Sequence, residues 1–143
     1  MLVRLLYASR VAESVDAEEV AEILKAAKAR NAKSGVTGVL CWCQASGVFM
    51  QVLEGGREPV SALYNRIAAD PRHRDLVLLA YREIAERHFA GWAMGLVNMA
   101  RLNAALLLKY SETATLDPYA VPGAVSMALF EELVATASVV GQG

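Results

Sequence analysis

Gln51 is a polar residue within an otherwise apolar segment, so its side chain is a candidate for binding a ligand. It interrupts the apolar segment 48–53, and strand alternation places it on the same face as Phe49 and Leu53. A buried amide without partners costs about 1–3 kcal/mol, so a polar group must meet it. Two explanations are open: an amide that the backbone satisfies, or a hydrogen-bonding pivot for a polar ligand.

Tyr7 and Asn31 offer two further polar groups to such a ligand. Tyr7 ends the first apolar segment, and a phenol beside a buried amide makes a natural donor–acceptor pair, although simple packing is the alternative. Asn31 follows a helical pattern and is either a helix C-cap or a donor and acceptor for a ring with alternating C=O and N–H groups.

A basic cluster and an aromatic–thioether pair complete the set of candidates. The cluster near the end of a second helical pattern could pair with phosphates or form a solvated helix end, and it contains Arg66, His73 and Arg74. Trp92 and Met94 alternate in a later apolar segment, which predicts that they share one face of a strand as core residues or as neighbours of the ligand.

The elements that position these side chains follow from periodicity and turn chemistry. A helix from residue 17 should finish near Arg30 and Asn31, with Gly35 ending the turn, and a second has Pro59 in its first turn and stops at Asp70. The order β-α-β-β-α-β, followed by a fifth strand, predicts an α+β, ferredoxin-like sandwich with both helices on one sheet face. Its strands are expected at Val3–Ala8, Val36–Cys43, Val48–Leu53, Leu76–Tyr81 and Trp92–Val97.

Two further helices, over residues 102–109 and 126–139, should pack on the opposite face of the sheet. The second of them carries an apolar stripe that is either an exposed partner surface or a buried core stripe. The stripe consists of Met127, Leu129, Phe130, Leu133 and Val134.

Composition limits the function classes. The chain has 143 residues, a net charge of −1 and no run of five like charges, which argues against nucleic-acid and membrane-surface binding. No apolar stretch approaches the roughly 18 residues of a membrane helix, and no signal peptide is expected at the start. Cys41 and Cys43 share one strand face, a poor geometry for a mutual disulfide, so we expect reduced thiols in a cytoplasmic protein.

The sequence contains no hydrolase motif, no phosphate-cradling glycine loop and no pair of histidines at helical spacing. The ferredoxin-like fold also hosts acylphosphatases, which need an arginine in a loop after the first strand. Arg10 stands near that position without a glycine, so we expect no enzyme activity.

Five segments in order resemble the BLUF family of blue-light photoreceptors over roughly residues 1–100. They are Leu5–Ser9, Arg30–Leu40, Phe49–Gly55, Asp70–Arg74 and Arg87–Met94. The resemblance implies a blue-light sensor that holds a flavin without a covalent bond, usually FAD, with FMN or riboflavin as alternatives.

The resemblance also implies roles for particular residues. Tyr7 and Gln51 would be photoactive, and Trp92 and Met94 would relay the signal. The implied cofactor-binding residues are Tyr7, Ile23, Arg30, Asn31, Gln51, Arg66, Ile67, Asp70 and His73. At Arg30 some relatives carry histidine or asparagine, so the stacking of that side chain on the ring stays open.

The tail, Leu106–Ser111 followed by Leu116–Pro118, resembles short BLUF proteins of the PixD group that have no effector domain. This implies a flavin-binding domain over 1–100 and a helical extension over 101–143 for signalling and assembly. It also implies a homo-oligomer, from a dimer to a larger ring, and a regulatory protein partner whose binding depends on light. A module that has lost its flavin is the remaining alternative.

Overall fold

The computed structural model describes residues 1–11, 15–44, 46–98, 102, 104–115, 117–136 and 139–140. Within them the chain forms five strands and four helices. The elements are β1 (Leu2–Val11), α1 (Ala17–Ser34), β2 (Thr37–Cys43), β3 (Val48–Gly56), α2 (Arg57–Ala69), β4 (His73–Ile84), β5 (Gly95–Asn98), α3 (Ala104–Tyr110) and α4 (Gly123–Ala135).

The strands form one sheet in the order β4-β1-β3-β2-β5. The pairs β1–β4, β1–β3 and β2–β3 are antiparallel, and β5 lies parallel to β2. The first four strands have the ferredoxin-like order, so the predicted α+β fold is confirmed, with β5 as an added edge strand.

Two hydrophobic cores lie on the two faces of this sheet, because successive strand residues point to opposite sides. The first core joins the sheet to α1 and α2, and its buried members include Leu5, Tyr7, Val20, Leu40, Phe49, Leu53, Val60 and Leu63. The second core joins the sheet to α3 and α4, and its buried members include Leu6, Val39, Cys41, Met50, Val52, Leu107, Leu129, Phe130 and Leu133.

Helix α1 runs about one turn further than the sequence predicts. Its N-cap is Asp16, whose side chain accepts from the backbone N–H of Glu19 at 2.8 Å. The helix ends at Ser34 because Gly35 takes the left-handed conformation, with φ of 72°. Asn31 is therefore inside the helix, and its predicted role as the C-cap is wrong.

The other boundaries also shift. Strand β4 is longer than predicted, since its pairing with β1 extends from His73 to Ile84. Helix α3 begins at Ala104 and ends at Tyr110. Helix α4 occupies Gly123–Ala135 and not 126–139, because Pro122 serves as its N-cap and Val140 instead pairs with Leu96 beside β5.

The prediction that Trp92 and Met94 share a strand face is wrong. Strand β5 begins only at Gly95, so both residues lie in an irregular segment where strand alternation does not apply. Met94 is buried in the first core, whereas Trp92 packs against the second core with its indole N–H buried and unpartnered.

The apolar stripe on α4 is a core stripe in this fold. Leu129, Phe130 and Leu133 are fully buried, and Met127 and Val134 are partly buried against the same core. Cys41 and Cys43 are both free thiols on the second-core side. Among the described residues no helix is long and apolar enough to cross a membrane, and no cluster of three or more metal-ligating side chains occurs.

Candidate functional site

A cleft opens on the first-core side of the sheet, between α1 and α2. The empty space in the cleft, counted together with the part that is open to solvent, is about 600 Å³. Its lining consists of Tyr7, Ile23, Ala27, Arg30, Asn31, Leu40, Phe49, Gln51, Leu63, Arg66, Ile67, Asp70, Arg72 and His73. The floor is therefore mostly apolar, and a few polar groups converge on it.

Tyr7, Gln51 and Met94 form a hydrogen-bonded chain at the floor of the cleft. Tyr7 and Gln51 are direct cross-strand partners in the β1–β3 ladder, which brings the phenol to the amide. The Tyr7 hydroxyl donates to Gln51 Oε1, and Gln51 Nε2 donates to Met94 Sδ at 3.1 Å. Gln51 is thus satisfied by side chains, and Met94, not Trp92, is its neighbour.

The environment of Tyr7 keeps its phenol protonated. Burial raises the pKa of Tyr7 well above its ordinary value, and the nearby Tyr64 phenol adds to this increase. The two tyrosine rings lie 5.8 Å apart between centroids. A phenol that stays neutral can donate its proton in a hydrogen bond without ionising.

His73 borders the same floor and is held by Ser9, with 2.7 Å between His73 Nδ1 and Ser9 Oγ. Its ring centroid lies 6.5 Å from that of Tyr7 and 5.9 Å from that of Phe49. Burial lowers the pKa of His73, so the neutral imidazole is favoured beside the cleft.

Asn31 presents an unsatisfied acceptor to the cleft. Its side-chain N–H donates to the carbonyl oxygen of Ala93 at 2.8 Å, while its buried Oδ1 has no hydrogen-bond partner among the residues that the structure describes. A buried acceptor of this kind requires a donor, and a ligand N–H in the cleft would supply it. The edge of a flavin ring, with alternating C=O and N–H groups, fits this requirement.

Three arginines, Arg30, Arg66 and Arg72, make the mouth of the cleft positive. Burial and the charges of the other two lower the pKa of Arg30. Arg72 is paired with Asp70, with 2.6 Å between Nη2 and Oδ2, and this hydrogen bonding holds the pKa of Asp70 at about 2. Within the described part of the chain, Arg30 and Arg66 form no ion pair, so both remain available for phosphate groups.

The structure brings all nine predicted cofactor-binding residues to this one cleft. Arg74 does not line the cleft and lies on β4 opposite Arg10 of β1. Arg72 lines the cleft instead and was not predicted, although it lies in the same basic segment. Arg10 itself lies within β1 and places its guanidinium 4.4 Å from the ring centroid of Tyr119, so it does not form the loop cradle of an acylphosphatase.

Comparison with known families gives a match over residues 2–95 to BLUF, described as sensors of blue light using FAD. The chain belongs to the BLUF family. Photoactivated adenylate cyclase subunit alpha of Euglena gracilis is 40% identical over 86 residues, which are 60% of this chain and 8% of that protein. The blue light- and temperature-regulated antirepressor BluF of Escherichia coli (strain K12) is 33% identical over 99 residues, which are 69% of this chain and 24% of that protein.

The present chain therefore spans a quarter or less of the length of these two BLUF relatives. Solved BLUF structures of similar size match it over nearly all of both chains. The photo-activated state of BlsA has a TM-score of 0.84 and 30% identity, covering 100% of this chain and 99% of that one. The dark-state structure of BlrB, a BLUF protein, has a TM-score of 0.78 and 29% identity, covering 95% and 96%.

Proposed function

We propose that this protein is a blue-light sensor that holds FAD in the α1–α2 cleft and switches the hydrogen bonds of Tyr7 and Gln51. The observation that carries the proposal is the chain from Tyr7 through Gln51 to Met94 at the floor of the cleft. Asn31 would hold the ring edge through its free Oδ1, and Ile23 and Ile67 would flank the ring.

We propose FAD because the matching family is described as using it. Arg30 and Arg66, which form no ion pair among the described residues, suit a phosphorylated flavin and so favour FAD or FMN over riboflavin. Riboflavin has no phosphate and would leave both arginines without a counter-charge. Measuring the affinities of the three flavins in the dark tests this ranking.

When bound, the flavin supplies blue-light absorption and a short-lived oxidising excited state. Tyr7 is the residue placed to respond, since its neutral phenol already donates to Gln51 Oε1. If the phenol gave an electron to the bound flavin, it would become strongly acidic, and its proton would move to the Gln51 amide oxygen and return when the electron returned from the flavin. Gln51 would be left rotated or tautomerised, with a donor directed into the cleft.

Met94 detects this change because Gln51 Nε2 donates to its sulfur in the present arrangement. Loss of that contact would release the segment before β5, and the displacement would pass to α3 and α4 on the other sheet face. We include in the proposal a flavin-binding domain over 1–100 and a signalling extension over 101–143. In this proposal a local change in the hydrogen bonds of Gln51 shifts the packing of the segment before β5 against α3 and α4.

The proposal further includes a cytoplasmic location, a homo-oligomer, no enzyme activity and a protein partner whose binding depends on light. The support is the fold that the chain shares with BLUF structures such as that of BlrB. Light scattering in the dark and under blue light tests the assembly.

The first experiment is an absorption spectrum in the dark and directly after blue illumination, for the wild type, Gln51→Leu and Gln44→Leu. Gln44 is an exposed glutamine in the β2–β3 turn and serves as the matched control. We expect a flavin band that shifts reversibly to the red in the wild type and in Gln44→Leu, and no shift in Gln51→Leu. A colourless wild type would support the module that has lost its flavin, and a band that bleaches would indicate ordinary flavin redox chemistry.

A further inference from the structure

The segment between β4 and β5, residues 85–94, is held by both amides that face the cleft. Asn31 donates to the carbonyl oxygen of Ala93 at 2.8 Å, and Gln51 donates to the sulfur of Met94 at 3.1 Å. The backbone N–H of Gly38 also donates to the carbonyl oxygen of Trp92 at 2.9 Å. Any change in the hydrogen bonds of these two amides therefore acts on two consecutive residues of one segment.

The earlier part of the same segment is fixed by a buried carboxylate. Glu54 Oε1 accepts from the backbone N–H of Phe89 at 2.7 Å, and Oε2 accepts from that of His88 at 3.1 Å. Oε2 also accepts from Arg4 Nε at 2.7 Å. Glu54 is 0% exposed and Arg4 is 4% exposed, so these charge-assisted bonds are buried away from the protein surface.

Glu54 does not belong to the cleft, because it lies three residues beyond Gln51 on β3 and so faces the opposite side. Burial of a charge is costly unless it is paired and hydrogen-bonded. Glu54 is satisfied by one cross-strand cation and two backbone donors of the 85–94 segment. Its evident structural effect is to fix the position of His88 and Phe89.

The two residues that Glu54 holds are also the ones that contact α4. The Phe89 ring packs edge-on against Phe130, with 6.2 Å between centroids, and both side chains are fully buried. His88 Nδ1 hydrogen-bonds to Glu131 Oε1 at 3.0 Å. Two consecutive residues of the segment thus contact two consecutive residues of α4.

We propose that Glu54 is a positioning residue for signal output, an anchor about which the 85–94 segment moves. Its carboxylate holds His88 and Phe89 against α4, so that a displacement at Ala93 and Met94 is transmitted to the helix and not lost within the segment. This inference rests on the proposed light-sensing function of the cleft.

The test compares the flavin-loaded wild type with Glu54→Gln and with Glu83→Gln, in the dark and in blue light. Glu83 is an exposed carboxylate paired with Arg57, and it provides the matched control. Two quantities are measured: the red shift of the flavin band, and hydrogen–deuterium exchange of the α4 peptide over 123–135. We expect all three proteins to red-shift, and we expect illumination to change α4 exchange in the wild type and in Glu83→Gln but not in Glu54→Gln.

The outcomes separate the two proposals. A wild type without a red shift contradicts the light-sensing function itself. A wild type that red-shifts with no change in α4, or a Glu54→Gln protein whose α4 response equals that of the wild type, overturns the role of Glu54 and leaves the light-sensing function intact. A role in stability alone would leave the α4 response of any folded Glu54→Gln protein unchanged.

A second measurement on the wild type covers the case in which Glu54→Gln does not fold. Residue-resolved amide exchange should show that His88 and Phe89 keep their protection in the light, while the amides of residues 92–94 change. Loss of protection at His88 and Phe89 on illumination would overturn the proposal, since an anchor must keep its hydrogen bonds through the switch.

Discussion

The buried ion pair of Arg4 and Glu54 allows a prediction whose magnitude follows from its hydrogen bonds. Removing one partner of a buried pair generally costs about 3–5 kcal/mol of stability. Glu54→Leu leaves the Arg4 guanidinium, whose Nη2 already lacks a partner, without its counter-charge. It also leaves the backbone N–H groups of His88 and Phe89 without their acceptor, which costs about 1–3 kcal/mol of stability for each buried group.

Arg4→Met should be the milder change, because the Glu54 carboxylate keeps both backbone donors. We expect Arg4→Met to cost about 3 kcal/mol and Glu54→Leu about 5 kcal/mol or more, a large share of the roughly 5–15 kcal/mol of a typical domain. The double variant no longer buries an unpaired charge. It should therefore be about 2 kcal/mol more stable than Glu54→Leu alone.

Urea unfolding of the flavin-loaded proteins in the dark, followed by far-ultraviolet circular dichroism, measures these free energies. The same double-mutant cycle on the exposed pair Arg57 and Glu83 serves as the control, and its coupling energy should stay below about 1 kcal/mol. The reasoning is refuted if the double variant is no more stable than Glu54→Leu. It is refuted equally if Arg4→Met costs more than Glu54→Leu.

Three further predictions concern single side chains. Tyr7→Phe should bind flavin but show no red shift in light, whereas the exposed control Tyr81→Phe should behave as the wild type in the same spectra. Phe130→Ala should lower the free energy of unfolding by about 3–5 kcal/mol with an unchanged dark spectrum, and a shifted dark band would contradict the separation of the two cores. Burial raises the pKa of the Cys41 thiol above its ordinary 9.0, so the folded chain keeps a proton that the unfolded chain loses. The free energy of unfolding should thus not depend on this group below pH 9.0, and above that pH it should fall by up to about 1.4 kcal/mol per pH unit. Urea titrations of Cys41→Ala over the same pH range should show a smaller decrease.

Regular strands explain which parts of the site could be predicted from the sequence. Alternation along β3 places Gln51 correctly on the face of Phe49 and Leu53, because β3 pairs without a bulge on both sides. Residue type and position indicate Tyr7, Asn31, Gln51, Arg66 and His73, and the family resemblance adds Ile23, Arg30, Ile67 and Asp70. The structure brings all nine to one cleft. Their roles toward a flavin stay predictions.

Irregular backbone explains where prediction failed. Trp92 and Met94 lie in a segment fixed by hydrogen bonds from Gly38, Asn31 and Gln51, none of which sequence periodicity can reveal. The pair of Arg4 with Glu54 depends on the β1–β3 register, which joins residues fifty positions apart.

The helical pattern alone predicts an end of α1 near Arg30 and Asn31, because asparagine is a common residue at helix ends, whereas Gly35, with its φ of 72°, terminates the helix. In the basic segment at the start of β4, Arg74 is exposed and Arg72 lines the cleft, a distinction that charge alone does not make.

The two cores on opposite faces of the sheet have a consequence for how such a protein can be altered. Met50, Gln51 and Val52 are consecutive, yet Gln51 faces the cleft while its two neighbours face α3 and α4. A single layer of backbone therefore separates the two cores, and substitutions on its two faces change contacts with α1 and α2 or with α3 and α4, respectively. Under the proposed function, ligand affinity would be altered by substitutions on the cleft side, and the packing of α3 and α4 by substitutions on the other side, largely independently of each other.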